Sequence, residues 1–444
     1  MVTLSISRKL ANFVDDLSCE KLPASVLENA KLRILDAFST AIAGRDLPVP
    51  EVAINFVKGN KGKATLYAHR YRVPAIDAAF VNATLINARS QDDFLQKSHP
   101  SALTVPSALA IAEEEGSSGS EVLTAIVAGY DTIARIYLGG PAMLPKFRAS
   151  GVTGTIGAAV TAGKLLKLNA DGLVDAIGCA AMFSSGFGEG FLSGTMDVKL
   201  NVGMSSRNGV TAALLARMGA TASETSLEGP SGFYRAFSGT TDHCAAATAG
   251  LGEKYFMEDV VYKDYPVCIF VQTPLALSRQ LTQENNIDAK EIEKVIIRVA
   301  DSTFTNPGFR NVAPFSTHLQ AAVSARFCIA AAFLGKPIES YELYDQLEDR
   351  EVLEMADRID LVSEEERESV EIEVVMKSGL TIHKEGIERE ILHPSQEKVV
   401  AKFKRLASGF LGTKTEKIID QVLHLERIKK ISELTDQLRP DKKG

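Results

Sequence analysis

The sequence lacks the features that mark nucleic-acid-binding proteins. Its 444 residues contain no tryptophan and only 7% aromatic residues, which leaves little material for base-stacking platforms. The 49 Lys and Arg residues are outnumbered by 56 Asp and Glu residues, and the net charge of −7 provides no basic face for a phosphate backbone. We therefore expect no nucleic-acid partner.

The cysteines lack any recognisable pattern. An odd number without a C-x-x-C pair argues against a disulfide framework and against a zinc site. We therefore expect no metal and a reducing compartment. The five residues are Cys19, Cys179, Cys244, Cys268 and Cys328.

Long apolar runs and a leader sequence are missing as well. The nearest apolar run, residues 327–335, is far shorter than the ~18 residues that a membrane span needs. The N-terminal segment, residues 1–10, lacks the apolar core of a signal peptide. These features predict a soluble, cytoplasmic protein with no membrane partner.

Helical patterns dominate both ends of the chain. Residues 396–406 and 414–438 have apolar residues at helical spacing. We expect the helix at residues 414–438 to pack back on the domain that the first half of the chain forms. The alternative for residues 414–438 is a helix that binds a partner. A possible short strand covers residues 64–67. Helices are predicted in the first half at residues 22–44, 76–88, 102–114, 120–138 and 154–165.

The pattern changes near residue 265. Residues 295–299 are β-branched and typical of a strand, and residues 370–376 and 380–383 flank a Gly-containing turn typical of a hairpin. Residues 319–334 between them predict a helix. The sequence therefore predicts a mainly α fold with two parts. A large all-helical domain comprises residues 1–265 and 395–444, and a smaller α+β domain comprises residues 266–394.

Two glycine-rich stretches require interpretation. Residues 154–164 approach a phosphate-binding loop, but the spacing is one residue too long and Leu165 stands where Ser or Thr is needed. Glycines for helix packing are the better interpretation. Residues 184–194 form either a loop that faces an active site or a plain connector.

Residues 90–101 carry the densest set of reactive side chains. Asp92 and Asp93 are adjacent, and His99 follows before the next apolar helix. Adjacent carboxylates shift each other's pKa, and histidine is the usual proton carrier near neutral pH. Composition alone leaves two interpretations open: a proton-transfer site, or a polar connector in which Asp caps a helix.

This stretch resembles the "DD…HPS" loop of the MmgE/PrpD family, and further landmarks follow in the family's order over nearly the whole chain. The resemblance implies a large helical domain built from both chain ends, a smaller lid domain between them, and a homodimer. The landmarks are Leu35-Asp36-Ala37, Gly154-Thr-Ile-Gly-Ala-Ala159, Val198-Lys-Leu-Asn-Val-Gly203, Leu227-Glu-Gly229 and Tyr265-Pro-Val-Cys268.

The family's reactions imply what such a site must do. The family contains 2-methylcitrate dehydratase, cis-aconitate decarboxylase and iminodisuccinate epimerase, so the resemblance implies a cofactor-free lyase or isomerase acting on a small di- or tricarboxylate. Negative charge develops on carbons that already carry carboxylates. The site must therefore supply cations or strong donors there, together with a positioned acid and base.

Several catalytic positions of the family carry other residue types in this chain. His99 matches, whereas the family Lys falls on Val198 by strict spacing, with Lys199 displaced by one. The reaction is therefore expected to differ from those of the best-known members. The remaining substitutions are Ser90 for an Asp, Phe94 for a Thr, Arg148 for a His, Gln272 for a His and Phe327 for a Tyr.

On this resemblance we assign proton transfer to acidic, imidazole and amine groups and carboxylate binding to the other polar groups. Arginine binds carboxylates bidentately and cannot act as a base at neutral pH. The catalytic candidates are His99, Asp92, Asp93 and Lys199, and the substrate-binding candidates are Arg148, Arg326, Gln272 and Ser90.

Alternatives remain for each candidate and for the function. A salt bridge is the alternative for Arg148, Arg326 and Lys199, and a helix-start role is the alternative for His99. His318 is a further candidate to replace a lost family histidine. An enzyme is one hypothesis, and a non-catalytic descendant that binds an anionic metabolite is the other. A purely structural helical protein is the weakest reading.

Overall fold

The structure, a computed structural model, describes residues 4–393 and 395–441. About 59% of the chain is helical, and a four-stranded mixed sheet and a two-stranded ribbon supply the strands. The predicted mainly α fold class is therefore confirmed at this level. The first three residues of the N-terminal segment discussed above and the last three of the chain lie outside the described residues.

The first part of the chain folds into helices that start where the sequence carries start signals. Helix α5 begins at Pro100, because proline fits the first turn of a helix, and α6 begins with a capping box of Ser118 and Glu121. The helices are α1 (Ile6–Asp16), α2 (Ala24–Gly44), α3 (Pro48–Val57), α4 (Ala75–Asn87), α5 (Pro100–Glu115), α6 (Gly119–Gly139), α7 (Ala149–Leu165), α8 (Ala170–Phe183), α9 (Glu189–Ser193), α10 (Asp197–Arg217) and α11 (Phe233–Ser238). Strands β1 (Ala64–Thr65) and β2 (Arg72–Val73) pair antiparallel and are largely buried.

Small residues allow α6 and α7 to cross in close contact. A Cβ atom on Gly129 would lie 2.0 Å from Oγ1 of Thr161, and one on Gly157 would lie 2.3 Å from Cγ1 of Ile133. Both distances are too short for real atoms, so only glycine fits these positions. The stretch 154–164 is thus buried inside α7 and serves helix packing.

Helix α6 corrects the expectation that no segment is long and apolar enough to span a membrane. Within the described residues it is the one helix that meets this test by length and composition, but 89% of its apolar window is buried inside the fold. Such burial is what a core helix shows. The cytoplasmic location stays a prediction.

The middle of the chain folds around a four-stranded sheet of order β4-β3-β5-β6. The β3–β4 pair is parallel and the other pairs are antiparallel, which includes the predicted hairpin with Gly379 at its turn (φ +85°). The strands are β3 (Ile292–Ala300), β4 (Ile359–Glu364), β5 (Ser369–Met376) and β6 (Thr381–Ile387). The helices are α12 (Ile269–Asn285), α13 (Asp301–Phe304), α14 (His318–Ala322), α15 (Ala325–Phe333), α16 (Arg350–Ala356) and α17 (Glu388–Ile391).

Two hydrophobic cores lie in different parts of the chain. One contains side chains from residues 6–262 and 399–438, and the other contains side chains from residues 265–374. We refer to residues 4–265 and 395–441 as the body and to residues 266–393 as the lid. The domain boundaries at 265 and 395 stay a prediction, and the separation of the two cores is the observation that supports them.

Two predicted helices are interrupted in the structure. Residues 414–438 form α19 (Lys414–Leu423) and α20 (Ser432–Thr435) with 3-10 turns rather than one helix, and residues 319–334 are divided between α14 and α15. The second break occurs because the Ser324 hydroxyl caps a new helix by accepting from the Phe327 backbone. Helices α18 (Gln396–Leu411) and α19 both pack on the body, as predicted for the end of the chain.

Candidate active site

The loop between α4 and α5 carries the predicted site. Ser90, Gln96 and Lys97 have positive φ angles of 56°, 45° and 62°, so the backbone turns sharply twice between Asn87 and His99. These turns place the side chains of the loop against α10 and against the segment that joins the body to the lid.

Asp92 lies at the centre of the loop and is fully buried. Both carboxylate oxygens accept from Nδ2 of Asn87 at 3.0 Å, and Oδ2 lies 3.2 Å from Nδ1 of His99. Burial alone would raise the pKa of Asp92, but His99, Lys263 and Lys199 outweigh it and hold that pKa below its ordinary value. Asp92 therefore stays ionised and orients the imidazole.

The Nδ1 atom of the His99 ring faces oxygen atoms of the loop. Its Nδ1 lies 3.1 Å from the carbonyl oxygen of Asp93 as well as near Asp92, which favours the tautomer with hydrogen on Nδ1. The ring of Phe94 packs edge-on against it at 5.4 Å. Burial lowers the pKa of His99 to about 4, with Asp92 opposing the shift and Lys263 adding to it. At neutral pH the imidazole is thus neutral, with Nε2 available as a base.

Lys199 faces the loop, whereas Val198 does not. The Lys199 Nζ donates to the carbonyl oxygen of Asn87 at 2.8 Å and to Oγ of Ser90. Val198 is buried and packs beside Gly190. Burial, with the nearby Arg148 and Lys263, lowers the pKa of Lys199 to about 7, a value suited to proton transfer at neutral pH.

Lys263 is a cation of this site that was not among the candidates. Its side chain is 1% exposed, and Nζ donates to the carbonyl oxygen of Ser90 at 2.6 Å. Burial lowers the pKa of Lys263, and Asp92 opposes that shift. The sequence signal was slight: a single lysine two residues before the Tyr265-Pro266 landmark, in the segment that leads into the lid.

Arg148 joins the same group from the start of α7. Its Nη2 donates to Oδ1 of Asn87 at 3.3 Å, and its guanidinium lies 5.2 Å from the centre of the Phe191 ring. Within the described residues Arg148 forms no ion pair, and its buried Nη1 has no hydrogen-bond partner. Burial lowers its pKa to about 10, so it remains charged. The vacant donor is suited to a carboxylate.

We call Asp92, His99, Arg148, Lys199 and Lys263 the charged cluster. Asp92 is the carboxylate that acts most strongly on all three cations. One carboxylate faces three cations, of which Arg148 and Lys263 are buried and Lys199 is half-buried, so the cluster carries excess positive charge in a poorly hydrated environment. Such a site favours a small anion with more than one negative charge.

The side chains of three candidates, Asp93, Gln272 and Arg326, form hydrogen bonds with groups outside the charged cluster. The Asp93 carboxylate accepts from the Tyr130 hydroxyl at 2.6 Å and the Ser101 backbone at 3.1 Å, inside the helical body. Burial raises the pKa of Asp93 to about 6.

The side chains of Gln272 and Arg326 donate hydrogen bonds to nearby backbone carbonyl oxygens. Gln272 is fully buried, and its amide nitrogen donates to the carbonyl oxygens of Tyr265 and Val267. Nε of Arg326 donates to the carbonyl oxygen of Ile359 on β4. The structure thus brings together His99, Asp92, Lys199, Arg148 and Ser90, but not the side chains of Asp93, Gln272 and Arg326.

The glycine-rich stretch 184–194 adjoins the charged cluster. Phe191 on α9 supplies the ring beneath Arg148, and the same ring lines a cavity of about 130 Å³ between body and lid. The other lining residues come from residues 308–320 of the lid. The cavity therefore flanks the cluster, and the stretch faces the candidate site.

One group in the described residues has a spacing that suits a metal ion. Glu371, Glu373 and His383 lie on β5 and β6 of the lid. Arg298 on β3 already pairs with both carboxylates, at 3.3 and 2.9 Å. The group is therefore a surface ion-pair network, and acidic groups of this kind are common without a metal.

Two domain models of one protein family match most of the chain. The MmgE/PrpD N-terminal domain matches residues 8–244, and the MmgE/PrpD C-terminal domain matches residues 265–426. The chain therefore belongs to the MmgE/PrpD family.

Similar curated proteins carry one activity in their names. A cis-aconitate decarboxylase of Aspergillus terreus is 24% identical over 98% of this chain and 96% of its own. A cis-aconitate decarboxylase of Homo sapiens is 25% identical, over 99% and 95%. A cis-aconitate decarboxylase-like protein of Aspergillus oryzae is 29% identical, over 48% and 47%.

Proposed function

We propose that this protein is a cofactor-free lyase of the MmgE/PrpD type that acts on a small di- or tricarboxylate, with decarboxylation of a cis-aconitate-like acid as the first reaction to test. Family membership and the names of the similar proteins support the lyase class. The observation that carries the proposal is the charged cluster, in which a neutral imidazole and a lysine with a pKa of about 7 lie beside two further buried cations.

The chemistry needs these groups in distinct roles. In decarboxylation the bond to the departing carboxylate breaks, carbon dioxide leaves, and the electron pair remains on the substrate carbons until a proton arrives. Arg148 and Lys263 would hold the remaining carboxylates and stabilise that charge. Lys199 would supply the proton, with Ser90 fixing its position. In dehydration or epimerisation the neutral His99 would instead remove a proton next to a carboxylate.

We also propose that the protein is a homodimer, and the surface next to α10 supports this. Met204, Leu215 and Met218 are exposed along the outer side of α10 and at its C-terminal end, and Met182 is exposed at the end of α8, which packs against α10. An apolar patch of this kind on a soluble chain usually marks an interface. The inner side of α10 carries Lys199, so the second copy would pack behind the charged cluster.

The experiment that tests the function is a substrate panel in deuterated water. 2-Methylcitrate, cis-aconitate, citrate, tartrate and iminodisuccinate are incubated with the protein, and products and deuterium incorporation are followed by NMR. We expect turnover of at least one acid, and a loss of about 10²- to 10⁴-fold in the variant His99→Gln or Lys199→Met. Thermal stabilisation by an acid without turnover or exchange would instead indicate a binding protein.

A further inference from the structure

A second histidine with a carboxylate partner lies on the lid. His318 is the first residue of α14, and its Nδ1 lies 3.0 Å from Oδ1 of Asp345. The His318 side chain is only 18% exposed, whereas that of Asp345 is 59% exposed. As with His99 and Asp92, the carboxylate favours hydrogen on Nδ1 and leaves Nε2 as the acceptor.

Aromatic packing holds this imidazole beside a tyrosine that contacts the body. The ring of Tyr341 stacks on it at 3.8 Å with an interplanar angle of 19°. Tyr341 also contacts the body, because the Arg89 guanidinium lies 5.0 Å from the centre of its ring. Nε of Arg89 donates to the side chain of Gln91 at 3.2 Å. His318 is therefore linked through Tyr341 to the segment that carries Ser90 and Asp92.

A second contact joins body and lid beside His318. Thr317, which precedes it, lies so close to Gly194 that a Cβ atom there would be 2.4 Å from Oγ1 of Thr317. Gly194 ends the glycine-rich stretch that also carries Phe191, the ring beneath Arg148. Two separate contacts from the body, Gly194 with Thr317 and Arg89 with Tyr341, thus hold the start of α14 against the seam.

The electrostatic environment agrees with this position. Burial lowers the pKa of His318; Asp345 opposes the shift, whereas Lys199 and Arg89 add to it. Lys199 belongs to the charged cluster, so its ammonium and the imidazole of the lid act on each other across the seam. At neutral pH His318 is therefore a neutral base.

We propose that His318, held by the positioning residue Asp345, is a second proton-transfer residue that acts from the lid side of the seam while His99 acts from the body side. When Nε2 of His318 takes a proton, a C–H bond of the substrate breaks, its electron pair stays on the carbon, and an N–H bond forms. In epimerisation the Lys199 ammonium of the body then gives a proton to the opposite face of that carbon. In anti elimination it gives the proton to the leaving hydroxyl, which departs as water while the electron pair forms the C=C bond. The pairing suits epimerisation or anti elimination, and it rests on the proposed function.

Matched lid variants test this role. His318→Gln removes the base, and His383→Gln, which changes an exposed lid histidine on β6, serves as the control. We expect His318→Gln to lower kcat by about 10²- to 10⁴-fold on an acid that the wild-type protein dehydrates or epimerises, because these reactions break a C–H bond of the substrate. Binding of the unreactive tricarboxylate tricarballylate should be unchanged, as should the melting temperature. His383→Gln should behave as wild type.

The outcomes separate this proposal from the proposed function. If wild-type protein dehydrates or epimerises an acid and His318→Gln does so equally fast, or if wild-type protein only decarboxylates, the role of His318 is refuted and the proposed function stands. A loss of tricarballylate binding in step with kcat would mean that His318 only shapes the site, which also refutes the role. If wild-type protein neither converts an acid nor exchanges deuterium, the proposed function fails, and the role of His318 fails with it.

Discussion

At the scale of single residues, Asn87 organises the charged cluster. Its amide nitrogen donates to Asp92, its amide oxygen accepts from Arg148, and its backbone carbonyl accepts from Lys199. All three contacts are made by one fully buried residue at the last turn of α4. The position of the two cations relative to the carboxylate therefore depends on where α4 ends.

The pKa of Lys199 predicts that anion binding takes up a proton. In the empty site the pKa of Lys199 is about 7, and a carboxylate bound beside it stabilises the ammonium and raises that pKa. At about pH 8 the free amine is mostly neutral and must gain a proton on binding, whereas at about pH 6 it is already charged.

Calorimetric titration with tricarballylate in two buffers of different ionisation enthalpy measures this uptake. We expect close to one proton at the higher pH and little at the lower, and no difference between the two pH values in the variant Lys199→Met. Equal uptake by wild type at both pH values would contradict the assignment.

Only part of the charged cluster was predictable at this scale. His99, Asp92 and Arg148 follow from the order of motifs along the chain, because each lies next to a landmark. Lys263 and Asn87 lie in segments that read as plain connectors or helix ends. Their roles arise from tertiary contacts with Ser90 and Asp92, which no local pattern encodes.

At the scale of helices, α18 ties the end of the chain to the site. Nζ of Lys402 is fully buried and donates at 2.7 Å to Oδ1 of Asp36 and to the carbonyl oxygens of Gln91 and Lys263. Gln91 and Lys263 lie in two of the segments that carry the charged cluster. A single ammonium therefore holds those segments together.

We expect Lys402→Met to lower the free energy of unfolding by about 3–5 kcal/mol, because it leaves the buried Asp36 carboxylate without its partner. Urea denaturation measures the change. Lys404→Met on the same helix is the control, since Lys404 is half exposed and pairs with Glu416 at the surface. Its cost should be about 0–1 kcal/mol, and an equal loss in both variants would contradict the account.

Replacing a helical glycine by alanine should have opposite effects on stability at two positions. Gly157→Ala should destabilise the protein by about 1–3 kcal/mol, because the new methyl group meets Ile133 and the backbone of Gly129. Gly409→Ala in α18 meets nothing within 4 Å and should stabilise it by about 0.5–1 kcal/mol. Urea midpoints that move in the same direction for both variants would argue against the packing described for α6 and α7.

Helix positions were predicted more successfully than helix interruptions. Proline marks the starts of α2 and α5, so local rules suffice there. Residues 414–438 keep a helical spacing of apolar residues across turns that break the helix, so periodicity alone joined α19 to α20. Strand β4 was not predicted, because it is short and because its parallel pairing with β3 is a non-local contact that no local pattern indicates.

At the scale of the whole molecule, the body and the lid each have a core of their own, and the charged cluster lies in the body where the lid meets it. On the lid side, Tyr341 stacks on His318 and contacts Arg89 of the body, two residues before Gln91 in the loop that carries Asp92. Family membership was predictable because the motifs keep their order along the chain, although none of them is decisive alone. The contacts across the seam were not predictable, because they join residues far apart in sequence.

The proposed homodimer predicts a selective effect of surface charge. Met218 is 77% exposed beside Leu215, so the double variant Leu215→Glu/Met218→Glu should place four acidic groups in a symmetric interface and dissociate it. Analytical ultracentrifugation should show a wild-type dimer and a monomeric double variant. Leu380→Glu at the lid hairpin, equally apolar and 60% exposed, should remain dimeric. A monomeric wild type would refute the dimer.

The most direct test of the charged cluster as the anion-binding site is to measure the affinity for tricarballylate with and without the Arg148 guanidinium. Calorimetry should show one site per wild-type chain, weakened about 10- to 150-fold in Arg148→Gln, because a charge-assisted hydrogen bond is worth about 1.5–3 kcal/mol. Arg217→Gln, which removes a surface arginine of α10 paired with Glu115, should bind as wild type. A wild type that binds no tricarboxylate, or equal affinities in all three proteins, would contradict the charged cluster as the binding site.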